Sequence, residues 1–295
     1  MYSKYGGYGR LSGSWELLKA SARVLLSDKE LLIFPFVSAL ATLAVTITFI
    51  VPMILAGFID RITTGQSNVQ IAGAVVAFVY YLIQYFIIFY MNTALVGAAL
   101  IRLDGGKPTV GDGFRIAASR AGSILGYALI AATVGMALRW IAERFGFVGQ
   151  IIAGLLGASW NIATFLVVPV LVVENVGPVD AVKRSTGLLK RTWGEQIIGN
   201  LGIGAAFGLL TLAVMLIFVP AFVLAAQAHA LAAIVGVAAV LVIVVLFLSL
   251  ISAALSGIYR AAVYRYAATG QVTPGFNPQL IQAAFRERRR ARMLF

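Results

Sequence analysis

The chain is predicted to be an all-α, polytopic transmembrane bundle of six spans, and two observations predict it. Hydrophobic residues make up 61% of the sequence and charged residues only 12%, and the apolar residues gather into six runs, each near or above the ~20 residues that a spanning helix needs. The runs are Leu31 to Gly57, Val69 to Ile101, Ala121 to Leu138, Gly149 to Val173, Ile197 to Ala226 and Ala230 to Tyr259. Lys and Arg, moreover, fall on alternate sides of them.

Before the first run lie Lys4, Arg10, Lys19, Arg23 and Lys29, and after the second lie Arg102, Lys107, Arg115 and Arg120. Lys183, Arg184, Lys190 and Arg191 follow the fourth run; Arg260, Arg265, Arg286, Arg288, Arg289, Arg290 and Arg292 follow the sixth. Only Arg61, Arg139 and Arg144 lie on the other side. Cytoplasmic loops attract Lys and Arg, so both termini are expected in the cytoplasm of a multi-pass inner (cytoplasmic) membrane protein. The net charge of +12 is spread over membrane-flanking positions, which argues against a nucleic-acid partner. The first run is too long for a signal-peptide core and begins after thirty polar or amphipathic residues, so it is expected to persist as a span.

Residues 1–13 mix Tyr and Gly without periodicity and read as a flexible tail. From Ser14, Trp15, Leu18, Ala22, Leu25 and Leu26 recur at helical spacing opposite Glu16, Lys19 and Arg23, the pattern of an interfacial helix on the inner leaflet. Similar segments follow the second and fourth runs, each a Gly/Pro turn and a short basic helix, and Lys19-Ala20-Ser21 resembles Lys183-Arg184-Ser185. Three tandem units of amphipathic helix plus hairpin are therefore expected within residues 14–270. In residues 271–295, Asn277-Pro278 is a plausible start for a basic helix of about Pro278 to Met293.

The second and sixth runs are longer than a bilayer requires, so they either tilt or project at their inner ends. Tyr259, Arg260, Tyr264 and Arg265 suit projection, with rings and guanidinium groups anchored among headgroups, and Ser256-Gly257 marks a kink. Pro35, Pro52, Pro169 and Pro220 fall inside or at the ends of runs, where fixed kinks are the ordinary outcome.

Chemistry is sparse. With no Cys, there are no disulfides, thiolate metal sites or cysteine nucleophiles. His229, the single histidine, falls in an outer turn, which excludes a multi-histidine metal or haem site. All eleven carboxylates sit at or beyond the ends of the runs, which lowers the expectation of proton or sodium coupling. Asp104 and Asp112, with Glu174 or Asp180, match no metal-loop spacing and read as turn or capping residues. Gly105-Gly106-Lys107-Pro108 lacks the Gly-Lys-Ser/Thr ending of a phosphate loop. No metal, cofactor or catalytic residue is expected.

The polar residues at depth are Gln84, Asn92, Asn161 beside Trp160, Asn200, and the row Ser249, Ser252 and Ser256. Interhelical hydrogen bonds are the ordinary role for such groups, and Asn92, Asn161 and Asn200 are the candidates for an intramembrane polar site. Small residues four apart (Gly122 and Gly126, Ala131 and Gly135, Gly204 and Gly208, Ala232 and Gly236) suit close helix packing. The candidate lipid-binding residues are Trp15, Lys19, Arg23, Arg115, Lys183, Arg184, Trp193, Arg260, Arg265, Arg286, Arg288, Arg289 and Arg290, because bases and aromatic rings at an interface meet anionic headgroups.

The strings Ser14-Trp15-Glu16-Leu17-Leu18-Lys19-Ala20-Ser21 and Asp28-Lys29-Glu30-Leu31-Leu32-Ile33-Phe34-Pro35 resemble the opening of an uncharacterised group of prokaryotic six-span membrane proteins. Val110-Gly111-Asp112-Gly113, Trp160, Val168-Pro169-Val170, Gly177-Pro178-Val179-Asp180-Ala181-Val182-Lys183-Arg184-Ser185 and Thr192-Trp193-Gly194 extend the resemblance to about Tyr266. The Pro178 to Ser185 element is also similar to loops in the membrane domain of some glycerophosphodiester phosphodiesterases, whose catalytic barrel this chain lacks. The resemblance implies fold and location, with no catalytic residues carried over. The expectation is a non-enzymatic protein that organises lipid or a membrane assembly through its basic helices, with anionic lipids, a membrane protein partner or further copies of itself as partners. An uncoupled transporter or channel for a small neutral or amphiphilic solute is the alternative.

Overall fold

A computed structural model describes residues 10–57, 67–192 and 196–270. Among them the chain forms helices only: α1 (Arg10–Ser27), a 3-10 turn (Lys29–Leu32), α2 (Ile33–Leu55), α3 (Ser67–Leu103), α4 (Val110–Ser119), α5 (Ala121–Arg144), α6 (Gly146–Ala163), α7 (Val167–Val173), α8 (Pro178–Thr192), α9 (Gln196–Gln227) and α10 (Leu231–Thr269). Six stretches are long and apolar enough to cross a membrane: residues 29–55, 71–103, 121–144, 146–173, 206–227 and 231–269. Large apolar side chains such as Leu43, Ile47, Leu155, Leu216 and Ile243 are exposed along them, as expected where lipid rather than water is the solvent. The helices divide into two compact units. One holds α1, the 3-10 turn, α9 and α10; the other holds α2 to α8.

In the second unit α3 is the central element, packed against α2, α4, α5 and α7. Its 37 residues make it roughly 55 Å long at 1.5 Å per residue. Tyr80 meets Thr46 of α2 through their hydroxyls (3.1 Å), and Gln84 Nε2 donates to Thr46 Oγ1 (2.8 Å) and the Thr42 carbonyl (3.1 Å). This register sets the start of α2 near Thr93, so the last turns of α3 run past it. Those turns are the buried core: Thr93, Ala94, Leu95, Val96, Ala98 and Ala99. Aromatic rings tie the neighbours together, with Phe89 against Tyr127 of α5 at 4.5 Å and Phe34 against Phe114 of α4 at 5.5 Å.

The fourth apolar run departs from expectation, because residues 164–166 interrupt it and divide it into α6 and α7. Pro169 explains the break. It has no N–H to offer the Phe165 carbonyl four residues earlier, and as the third residue of a new helix it leaves no such bond missing. Pro35 takes the same place in α2, just after the 3-10 turn. Pro52 and Pro220, by contrast, stay inside α2 and α9.

In the first unit α1 packs against both α9 and α10, and α9 packs along α10. Two expectations need correction. The helix of α1 begins at Arg10, inside the segment read as a tail. Tyr259 and Tyr264 are 2% and 4% exposed, so they are core residues of α10 and not headgroup anchors. The α10 helix runs through Ser256-Gly257 from Leu231 to Thr269 and closes at Gly270, whose φ of 72° is the left-handed conformation that glycine adopts without penalty. The C-terminal helix expected after Asn277 lies outside the described residues, as do residues 1–9.

Candidate functional site

The basic helices α1, α4 and α8 share one construction. Each buries small or apolar residues a turn apart and leaves its bases outward. In α1 Ala20, Ser21 and Leu25 are buried while Lys19 and Arg23 are exposed; in α4 Gly113 and Ala117 are buried while Arg115 is exposed. In α8 the buried set is Ala181, Ser185, Leu188 and Leu189, and the exposed set is Lys183, Arg184 and Lys190. Helical spacing produces this division, since residues three and four apart share a face. The buried face of each of these helices is covered by protein, while Leu26 of α1 and Val179 of α8 remain exposed.

Local sequence fixes α4. Thr109 is its N-cap: the Thr109 hydroxyl accepts from the Asp112 N–H (3.1 Å) and Asp112 Oδ2 accepts from the Thr109 N–H (3.0 Å) and hydroxyl (2.7 Å). This is a reciprocal capping box. The Thr109 side chain and backbone donors, joined by the Arg115 charge, hold the Asp112 carboxyl below the usual carboxylate range. Gly113 lets α4 approach α3, because a Cβ there would meet the Phe34 ring and lie 2.8 Å from the Ala94 carbonyl.

Around α8 the second unit assembles a polar cluster from four elements. Ser185 is fully buried; its hydroxyl donates to the Ala163 carbonyl (2.7 Å) and accepts from the Leu166 N–H (3.1 Å). It thus satisfies two backbone groups released by the break between α6 and α7. Arg184 Nε donates to both oxygens of Glu174, at 2.8 and 3.0 Å. Arg120, between α4 and α5, donates to the Asn175 side-chain oxygen and, at 3.5 Å, to the Val172 carbonyl. Its charge therefore sits at the carbonyl end of α7, where a cation is favourable. Asn175 itself holds φ at 47°. The Pro178 ring rests on Gly126 of α5, where a Cβ would lie 2.8 Å from Cγ. Lys183 pairs with Asp180 at 3.5 Å and Arg115 with Asp112 at 3.4 Å, both at the surface.

Of the residues expected to meet lipid, Lys19, Arg23, Arg115, Lys183 and Arg184 are exposed, whereas Arg260 and Arg265 are half-buried. Arg184 is also held by Glu174. Trp15, Trp193, Arg286, Arg288, Arg289 and Arg290 lie outside the residues whose side chains are described, as does Asn200. Asn92 is half-buried on α3 and Asn161 is exposed on α6, and neither amide has a hydrogen-bond partner among the described residues. Sequence reasoning missed Arg120 and Asn175 altogether. The only signal for them was a cation at the junction of two helices and an Asn in a loop, both of which are common.

Of the small pairs, Gly126 and Gly135 meet Pro178 and Tyr85, while nothing stands near a Cβ at Gly122, Gly204, Gly208 or Gly236.

Six membrane-length helices and a set of basic helices folded onto two of their bundles define a multi-pass α-helical membrane protein. The chain belongs to a family of unknown function (DUF6159), whose model matches residues 71–275. The match begins within α3, so the strings from Ser14 to Pro35 lie outside it. No curated protein matches the chain. The likeness to the membrane domain of glycerophosphodiester phosphodiesterases has no counterpart in these findings.

Proposed function

We propose that this protein is a non-enzymatic organiser of lipid, or of a membrane assembly, at the inner face of a cytoplasmic membrane. The observation that carries the reading is the shared build of α1, α4 and α8, which bury small and apolar residues such as Ala20, Leu25, Ala117, Ala181 and Leu188 and turn Lys19, Arg23, Arg115, Lys183 and Lys190 outward. With both termini on the cytoplasmic side, as the Lys and Arg distribution argues, these bases face anionic headgroups, where each contributes on the order of 1 kcal/mol. Each basic helix is held by a span other than the next one in the chain: α4 packs on α3 of the second span, Ser185 of α8 bonds to the break in the fourth, and α1 packs on α10 of the sixth. A membrane protein partner or a second copy is the other class of occupant.

The test is lipid retention in native mass spectrometry of the chain from vesicles containing phosphatidylglycerol. Substituting Gln at Lys183, Lys190 and Arg115 is expected to strip most anionic lipid without loss of helix content. Unchanged retention would remove the reading. An uncoupled path for a small neutral solute is the second reading, favoured by the amides of Asn92 and Asn161, which have no hydrogen-bond partner among the described residues. Single cysteines at those positions, in a chain with no other Cys, would be labelled by water-soluble maleimide if a wet path exists and spared if it does not.

A further inference from the structure

At the end of the second unit opposite α4 and α8, a pair of charges has no part in the reading above. Arg139 and Glu143 lie one turn apart near the end of α5, and Arg139 Nε donates to Glu143 Oε1 at 2.7 Å. Arg139 Nη1 donates to the Tyr81 hydroxyl on α3 at 3.1 Å. Both charged side chains are open, at 63% and 64% exposure. Arg139 Nη2 and Glu143 Oε2 hold no hydrogen bond among the described residues.

Their depth matters. Tyr81 adjoins Tyr80, which meets Thr46, and Thr46 lies roughly 14 Å short of the end of α2 at Leu55. Arg139 itself is roughly 8 Å from the end of α5. The pair thus falls in the last two turns of a membrane-length stretch, residues 121–144, and charges exposed near the end of a span must be met by polar groups. Trp140, exposed beside it, is the residue type that marks this level. Below the pair, α3 turns Tyr80 and Gln84 toward α2 and Tyr81, Tyr85 and Phe89 toward α5, with exposed Ile88 between the two sets. This gives an apolar track leading away from the charges.

We propose that Arg139 and Glu143 bind the headgroup of a zwitterionic phospholipid bearing a primary ammonium. The phosphate accepts from Arg139 Nη2, the ammonium donates to Glu143 Oε2, and an acyl chain lies along Ile88. Charge complementarity selects this occupant. An anionic lipid would satisfy the guanidinium and confront the carboxylate, whereas a zwitterion answers both with charge-assisted hydrogen bonds.

Trp140 reports on the site. In the full-length chain with W15F, W160F and W193F, its fluorescence would be measured in bilayers containing brominated phosphatidylethanolamine or brominated phosphatidylglycerol at equal mole fraction. Phosphatidylethanolamine is expected to quench more strongly, and Glu143→Gln to invert the preference by freeing the guanidinium for an anionic lipid. Equal quenching by the two lipids, or a preference unmoved by Glu143→Gln, overturns the proposal. Should the single-tryptophan chain not fold, native mass spectrometry of the otherwise unaltered chain serves. There Arg139→Gln is expected to weaken retention of phosphatidylethanolamine about tenfold, as the loss of a charge-assisted hydrogen bond implies, and unchanged retention refutes the site.

Discussion

Ser185 and Ser21 are both completely buried, yet their hydroxyls have opposite surroundings. Ser185 bridges the Ala163 carbonyl and the Leu166 N–H, whereas the Ser21 hydroxyl has no partner among the described residues. Ser185→Ala should thus leave two backbone groups unsatisfied, at a cost of about 1–3 kcal/mol each. Ser21→Ala removes an unmet polar group and should be neutral or stabilising by about 1 kcal/mol. Thermal denaturation of the two variants in one detergent checks the pair, and a shift of the same sign and size in both would contradict this account. Lys19-Ala20-Ser21 and Lys183-Arg184-Ser185 look alike in the sequence; only the structure distinguishes a serine that joins two helix ends from one that joins nothing among the described residues. That difference was illegible because the partners of Ser185 lie 19 and 22 residues away and are backbone atoms.

At the scale of the element, α4 and α9 test how closely helices approach. Gly113→Ala places a Cβ against the Phe34 ring and the Ala94 carbonyl, so α4 must lift from α3, and a loss of about 2 kcal/mol is expected. Gly204→Ala meets open space and should gain up to ~1 kcal/mol from helix propensity. Urea or thermal unfolding in micelles would show opposite signs. The α4 cap also carries a pH dependence. The Asp112 carboxyl is held below its ordinary 3.8 by Thr109 and Arg115, so its contribution is full above that value and lost as pH falls through the depressed folded value. Melting temperature followed downward from neutral pH should be flat until about pH 4 and then fall, with a shallower fall in Asp112→Asn. The sequence revealed helices where composition alone decides, as in α2 and α9. It concealed the break before α7 because Thr164, Phe165 and Leu166 prolong the apolar run, and because a proline in the first turn of a new helix leaves no mark on hydropathy. Tyr259 and Tyr264 misled for a similar reason: a ring beside an arginine looks like a headgroup anchor, and only packing tells it from a core residue.

For the whole molecule, the charges that matter separate into two sets. Within the second unit, bases on α4 and α8 stand apart from the far-end pair Arg139 and Glu143, and the two sets are proposed to meet anionic and zwitterionic lipids respectively. Neutralising one set should leave the other's lipid preference intact. Native mass spectra of the chain with Lys183, Lys190 and Arg115 changed to Gln are expected to lose phosphatidylglycerol and keep phosphatidylethanolamine, and parallel loss of both lipids would mean that the sets are not independent. The basic set was legible from spacing alone. The far-end pair was visible only as two charges in an outer loop, since its partner Tyr81 is 58 residues distant in the chain.

The division of the fourth span has a consequence for biogenesis. As the chain emerges from the ribosome, α6 and α7 are complete before Ser185 exists, and until it arrives the Ala163 carbonyl and the Leu166 N–H can be satisfied only by water or by the insertion machinery. The span is therefore expected to mature late, sealed by a residue of the following loop. Nascent chains arrested before Ser185 emerges should leave residue 164, tested as a single cysteine, open to a small aqueous alkylating reagent, and chains arrested after α8 should protect it.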